Sequence, residues 1–229
     1  MSFQYVIKKT EAQFTAFPCQ PIDLPQRFSK IERKEQDGVL TLENHFFRVG
    51  DVGQLRIAYT HAPKINIIAV FFFPQCRCQL PVYSMEFVML GQKPIIALMD
   101  MVCLIQHMPI STIVKDFMDS AHSAYPEFNQ EEVFPQWFEE CRSGDEFFIR
   151  PRDMSEFSML GKIHALLIEN LAKLFQHVEI FDKDTTTLHK TYLDDYKKHH
   201  KINSPGLRLM NRSFGESWTE EYLTAYLFA

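Results

Sequence analysis

The sequence lacks any stretch of about 18 apolar residues, the length that a membrane-spanning helix requires. Its longest apolar run, residues 67–73, has the length of a strand. The opening residues, MSFQYVIKKTEAQF, contain no hydrophobic region of the kind that directs export. The five cysteines are an odd number, which indicates free thiols in a reducing compartment. These absences predict a protein that does not enter a membrane and is cytoplasmic, or lies in the plastid stroma if a transit peptide has been removed.

The sequence also lacks the common catalytic and cofactor motifs. It contains no phosphate-binding glycine loop, no GxSxG elbow and no HExxH pair. Cys76-Arg77-Cys78 is a lone CxC without a second ligand pair at zinc spacing. His199 and His200 are adjacent, so on a helix they point in different directions and do not share a metal. We therefore predict no metal and no nucleotide or flavin cofactor, and any electrons for a redox reaction must come from outside.

A basic excess is missing as well. The chain has 24 Lys and Arg against 29 Asp and Glu, a formal net charge of -5, so wholesale nucleic-acid binding is not expected. The charge is nevertheless uneven. Residues 127–146 contain seven acids and one base, whereas residues 190–212 contain six bases and two acids. The basic run is either a solvated helix face or a docking patch for an acidic partner.

Phenylalanine is abundant, with 21 copies against 8 Tyr and 2 Trp in 229 residues. Phenylalanine supplies a large apolar surface without a polar atom. The excess fits either a phenylalanine-rich core or a pocket for a flat apolar ligand, and the count alone favours the core.

The middle of the chain has strand patterns, over residues 39–47, 55–59, 64–73, 81–90, 93–102 and 146–150. Residues 64–73 (KINIIAVFFF) predict a central strand buried on both faces. Gly91-Gln92 predicts a tight hairpin between two of the strands.

The second half has helical periodicity. Apolar residues recur at helical spacing over residues 155–178, and Ser217 with Glu220 forms a capping-box pattern for a last helix. Residues 11–30 contain three prolines and predict an irregular lead-in. Hairpin-connected strands surrounded by helices predict an α/β fold with an antiparallel sheet between helices. Without repeats or linkers, residues 1–229 are expected to form a single domain.

Three segments carry motifs in a fixed order over about 160 residues. They are IIAVFFFPQCRCQLPVYSMEFVMLGQKPIIALMDM at 67–101, FPQWFEECRSGDEFFIRP at 134–151 and RLMNRSFGESWTEEYLTAYLF at 208–228. The first combines an apolar strand ending in Phe-Pro, a Leu-Pro, a strand with a central acid, and a strand ending in Asp. Together they resemble the ferredoxin-dependent bilin reductases, which reduce biliverdin to phycobilins, and the related red chlorophyll catabolite reductases.

The resemblance implies a three-layer α/β/α sandwich with a central antiparallel sheet, as a monomer. The implied substrate is a linear tetrapyrrole, bound between the sheet and the C-terminal helices. Reduced ferredoxin is the implied external electron donor, with no bound cofactor. Electrons arrive singly and side chains deliver protons to a bilin radical. Neither nucleic acid nor a membrane is an expected partner.

The resemblance also assigns candidate catalytic positions. Glu86 falls where the bilin reductases have a catalytic Asp, and its carboxyl can donate a proton from one methylene further out. Ala69 occupies a position that is His or Asn in the family, where a methyl group cannot relay a proton. Ser204 falls where the family has a second Asp, and Asn203 beside it can hydrogen-bond a lactam. His61, before the central strand, is a further candidate proton source.

Candidate substrate-binding residues complete the predicted site. Arg150 matches the arginine of the family's FIRP segment, and a guanidinium suits a propionate carboxylate. Arg208, in the basic run, is expected to meet a propionate at the rim. Ser84 shares a strand face with Glu86. Asp100, at a strand end, is interpreted as a turn or capping residue.

Alternatives remain open at this level. Glu86 lies either on a solvated face or in a pocket, and the resemblance favours the pocket. Glu86 also favours a reductase of an opened chlorophyll-type tetrapyrrole, because red chlorophyll catabolite reductases have Glu there. Ala69 and Ser204 favour a non-catalytic tetrapyrrole carrier. An unrelated interaction domain would bind no bilin at all.

Overall fold

The computed structural model describes residues 8–10, 12, 19–128, 132–204 and 206–229. The strands are β1 (Cys19–Pro21), β2 (Lys30–Glu35), β3 (Gly38–Val49), β4 (Gly53–Ala62), β5 (Ile65–Pro74), β6 (Val82–Leu90), β7 (Lys93–Val102) and β8 (Phe147–Ile149). The helices are α1 (Gln26–Ser29), α2 (Pro109–Ala124), α3 (Gln136–Glu139), α4 (Met154–Leu174), α5 (Lys183–Asn203), α6 (Leu207–Phe214) and α7 (Glu216–Tyr222). Helix α7 continues into a π-helical turn, Leu223–Leu227, and short 3-10 turns lie at Pro126–Phe128 and Phe175–His177.

The strands form one antiparallel sheet in the order β1-β3-β4-β5-β6-β7-β8, with β2 paired to β3. Strands β1 and β2 share one edge of β3, at its last and first residues respectively. The apolar run at β5 lies in the middle of the order, which confirms the predicted central strand. The predicted hairpin between β6 and β7 is also confirmed, and Gly91 at its turn has φ of +58°, a conformation that glycine adopts at little cost.

Two separate hydrophobic clusters cover the two faces of the sheet. One cluster joins Ile57, Val70 and Met85 to α2 and α4. The other joins Phe46 and Phe71 to α5, α6 and α7. The sheet therefore lies between two helical layers, which confirms the predicted three-layer α/β/α sandwich.

Several local predictions need correction. Helix α2 was not predicted, although Val114, Met118 and Ala121 recur at helical spacing and are buried. The capping box was wrong, because Ser217 lies inside α7 and the residue before the helix, Gly215, makes no side-chain cap. Two aspartates cap helices in this half instead: the Asp153 carboxylate accepts hydrogen bonds from two backbone N–H groups of α4, and the Asp182 carboxylate accepts one from the first turn of α5.

The predicted irregular lead-in, residues 11–30, falls partly outside the described residues. Its described part contains strand β1 and helix α1, so local order begins earlier than the prolines suggested. Within the described ranges, none of the helices combines the length and the apolar character that crossing a bilayer requires.

Candidate active site

A cavity of about 420 Å³ lies between the sheet and the α5–α7 layer. Its floor is the middle of the sheet, and its other walls include Trp137 on α3, Leu209 and Met210 on α6, and Phe228 after the π-helical turn. The lining is mostly apolar, with a small number of polar groups, which is the usual character of a small-molecule site. The predicted central strand β5 is therefore fully covered only along its second half, and Ile67 and Ala69 face the cavity.

Two alanines explain why the floor stays open. The strand register places Ala58 opposite Ala69, Ala69 opposite Glu86, and Glu86 opposite Leu98. Directly opposed residues of antiparallel strands point to the same face, so these four side chains form one row across the sheet. Methyl groups at two adjacent positions leave space that larger side chains would fill, and Glu86 borders that space.

The Glu86 side chain is half-buried and lines the cavity. Among the described residues, no hydrogen-bond donor or cation pairs with its carboxyl group. Burial in these apolar surroundings raises the pKa of Glu86 to about 7. The structure therefore favours the pocket interpretation of Glu86 over the solvated face, and its carboxyl is poised to hold a proton near neutral pH.

His200 was weighed in the sequence only as a metal ligand, yet it lines the cavity from the last turn of α5. Its ring packs against Tyr196, with centroids 4.4 Å apart, and its Nε2 lies 3.8 Å from the Cys141 sulfur. Burial, with a smaller effect of His199, lowers the pKa of His200 to about 4. The i, i+4 spacing from Ser204 was the signal that could have found it, because such residues share a helix face.

Ser204 and Asn203 lie at the end of α5 and differ in position. Ser204 lines the cavity and forms the C-terminal cap, donating its backbone N–H to the His200 carbonyl at 2.9 Å. Ser204 therefore caps the end of α5, and Pro205 lies outside the described residues. Asn203 does not line the cavity, and its amide donates to the His199 carbonyl at 2.9 Å.

Ser84 and Asp100 lie behind the cavity wall. Ser84 is on the same sheet face as Glu86 but is buried and outside the lining, opposite Asp100. Asp100 is neither a turn nor a capping residue, because it lies within β7 and is only 2% exposed. One carboxyl oxygen accepts the Ser143 N–H at 3.0 Å, and the other has no partner among the described residues. Burial raises the pKa of Asp100 to about 7.

His61 does not belong to the cavity. It alternates along β4 with Ala58 and Thr60, which line the cavity, so its ring points to the opposite face. There it is exposed and its Nδ1 hydrogen-bonds the Asn66 side chain. We therefore do not retain His61 as a proton donor.

Arg150 lies at the mouth of the cavity beside Phe148, with its guanidinium 5.3 Å from the ring centroid. It already forms an ion pair with Glu132, which also lines the cavity. Arg208, by contrast, is exposed on α6 and lies outside the lining. Only the first of the two predicted propionate ligands is therefore adjacent to the cavity.

The chain is similar to known proteins in both sequence and structure. A sequence model of the family described as "Ferredoxin-dependent bilin reductase" matches residues 7–229. The chain is 22% identical over 214 residues to a phycocyanobilin:ferredoxin oxidoreductase of Trichodesmium erythraeum (strain IMS101), covering 91% of this chain and 84% of the relative. It is 22% identical over 215 residues to the protein of that name from Prochlorococcus marinus (strain MIT 9515), covering 90% and 85%.

Among solved structures, phytochromobilin synthase from tomato in complex with biliverdin shares the fold. The TM-score is 0.80 at 16% sequence identity, and the match covers 99% of this chain and 83% of that one. A match at this level of identity establishes the fold and not the reaction. The family match spans nearly the whole chain and agrees with the three motifs, so the chain belongs to the ferredoxin-dependent bilin reductase family.

Proposed function

We propose that the chain catalyses the ferredoxin-dependent reduction of a linear tetrapyrrole, biliverdin or a dihydrobiliverdin, to a phycobilin. The observation that carries the proposal is the half-buried carboxyl of Glu86 on the sheet side of an apolar cavity. The similar relatives are phycocyanobilin:ferredoxin oxidoreductases, and the tomato structure contains biliverdin. No resident cofactor is part of the proposal.

The reaction consumes two electrons and two protons for each double bond reduced. Two reduced ferredoxins supply the electrons one at a time, and each electron makes the bilin more basic. Glu86 donates a proton to the bilin radical and becomes a carboxylate. Because its side chain is only half-buried, Glu86 can take a new proton from solvent and donate again.

The other residues of the cavity bind and orient the substrate. The apolar walls bury the pyrrole rings, and Arg150 at the mouth meets a propionate carboxylate. Ser204 and His200 face the substrate from α5 and offer hydrogen bonds to its polar edge. Ala69 beside Glu86 has no polar atom that could relay a proton, so Glu86 is the principal acid in this proposal.

The test is anaerobic turnover of biliverdin with ferredoxin and a reducing system, followed by absorbance. The wild-type chain should bind biliverdin and shift its absorbance to the blue. Glu86→Gln should bind biliverdin but react at least about 100-fold more slowly, the usual size of general-acid catalysis. Glu169→Gln, the same change at an exposed position of α4, is the matched control and should turn over normally.

The pH dependence gives a second readout. Because the protonated carboxyl is the donor, the wild-type rate should fall as pH rises through about 7. The rate of Glu86→Gln should not fall over this pH range. Wild-type turnover in Glu86→Gln would overturn the assigned role, and binding without any turnover by the wild type would favour the carrier alternative.

A further inference from the structure

The Arg150 guanidinium is already engaged by a carboxylate of the chain itself. Its Nε donates to Glu132 Oε2 at 3.1 Å and its Nη2 donates to Oε1 at 3.3 Å. Both residues line the mouth of the cavity, and the side chains are 56% and 28% exposed. The pair therefore lies where a ligand enters.

Two parallel N–H···O bonds are the geometry that a guanidinium forms with any carboxylate, including that of a ligand. The Nε and Nη2 edge of Arg150 accepts one carboxylate at a time. A ligand carboxylate that comes to this edge must displace Glu132, and one that comes nearby is repelled by its negative charge. In either case Glu132 opposes the arrival of a free acid.

Glu132 can leave this position without unpacking its segment. The neighbouring Val133 is 94% exposed, and the segment at residues 132–135 has neither helix nor strand. Phe134 anchors it, with ring centroids 4.9 Å from Phe138 and 5.0 Å from Phe148. The Glu132 side chain is thus a contact that can be exchanged while the backbone stays in place.

We propose that Glu132 is an internal substitute for the ligand's carboxylate, which a propionate of the tetrapyrrole replaces on Arg150. The inference rests on the proposed function, and it adds a residue that sets the affinity for a ligand carboxylate. A ligand with a free propionate recovers the Arg150 contact that it displaces. An esterified ligand has no carboxylate to exchange and leaves the Arg150–Glu132 pair in place, so Glu132 competes only with free acids.

The test titrates biliverdin and biliverdin dimethyl ester into each variant and follows absorbance. Glu132→Gln should tighten binding of the free acid about two- to fivefold, the range expected for an exposed ion pair, and should leave the ester unchanged. Arg150→Gln should weaken the free acid, and adding Glu132→Gln to it should then give no gain. The matched control is Glu156→Gln, which breaks the exposed Arg152 pair outside the lining.

The outcomes separate the two proposals. Unchanged or weaker binding of the free acid by Glu132→Gln would overturn the inference and leave the proposed function in place. An equal gain for the ester would also overturn it, because a wider mouth and not carboxylate exchange would explain the result. Failure of the wild type to bind biliverdin would remove the proposed function itself.

Discussion

Single residues decide how this protein responds to pH. Glu86 and Asp100 lie diagonally on adjacent strands of the same sheet face, and burial raises the pKa of both carboxyl groups to about 7. Glu86 opens to the cavity, whereas Asp100 is enclosed and keeps one oxygen without a partner among the described residues. The first is suited to exchange protons with a ligand, and the second mainly affects stability.

We predict that Asp100 makes the fold less stable as pH rises. The pKa of Asp100 is about 7 when folded against an ordinary value of 3.8, so the folded state keeps a proton that the unfolded state loses. Stability should therefore fall between pH 4 and 7, by about 1.4 kcal/mol for each pKa unit, and level off above. Urea unfolding at several pH values between 4 and 8 measures this change in the free energy of unfolding.

Asp100→Asn removes the titrating carboxyl. The part of the fall in stability with pH that Asp100 causes should therefore disappear. The gain of the variant over the wild type should grow from pH 4 to pH 7 and then stay constant. Asp119→Asn, on the exposed face of α2, is the control and should leave the wild-type profile intact. A profile of Asp100→Asn parallel to the wild type at every pH would rule out this role.

At the scale of an element, the π-helical turn after α7 depends on a residue far away in sequence. Arg56 on β4 is 3% exposed, and its Nη1 donates to the Tyr226 and Leu227 carbonyls at 2.6 and 2.7 Å. Carbonyls at a helix end have no partner within the helix, so the guanidinium satisfies them. The contact also holds Leu227 and Phe228 against the cavity.

We predict that Arg56→Met lowers the free energy of unfolding by about 3 kcal/mol, because two carbonyls at the helix end, one buried and one partly buried, lose a charged donor. Arg56→Lys should lie between this variant and the wild type, because one ammonium cannot reproduce the fork of a guanidinium. Arg152→Met is the control, since Arg152 pairs with Glu156 at the surface and should cost less than about 1 kcal/mol. If Arg56→Met and Arg152→Met lower the free energy of unfolding equally, Arg56 does not stabilise the π-helical turn as proposed.

For the whole molecule, the structure reduces the basic run to a smaller exposed set. Lys190 pairs with Asp194 at 2.5 Å and Lys201 with Glu220 at 3.0 Å. Lys197 lies half-buried over the Phe73 ring. The three remaining bases are exposed, and no carboxylate in the described part of the chain pairs with them: Lys198, Arg208 and Arg212.

We predict that this surface receives ferredoxin, so that association weakens as salt screens the charges. Combining Lys198→Glu with Arg212→Glu should raise the KM for ferredoxin several-fold and leave the kcat unchanged. Lys162→Glu, an exposed position of α4 on the other side of the sheet, should behave as the wild type. If the KM for ferredoxin changes neither with the substitutions nor with added salt, ferredoxin docks at another surface.

Local patterns and the motifs that resemble the family account for most of what could be predicted. The apolar run of β5, the hairpin at Gly91 and the three motifs identified the sandwich, the family and Glu86. Alternation along β6 placed Glu86 with Ser84 and apart from Tyr83, because successive side chains of a strand face opposite sides. Strand β2, with the charged sequence KIERKE, escaped prediction since only its pairing with β3 makes it a strand.

Tertiary structure decided everything that depends on which distant residues meet. The register of β4 turned His61 away from the cavity, while the packing of α5 brought His200 into it. Glu132 reaches Arg150 across 18 residues, and Arg56 reaches Tyr226 across 170. The sequence by itself determined the antiparallel sheet between helices, because periodicity along each segment predicts its strands and helices, and the motifs that resemble the family assigned the acid at the centre of the sheet. The contacts around that acid form only when separate segments pack, and no local pattern records them.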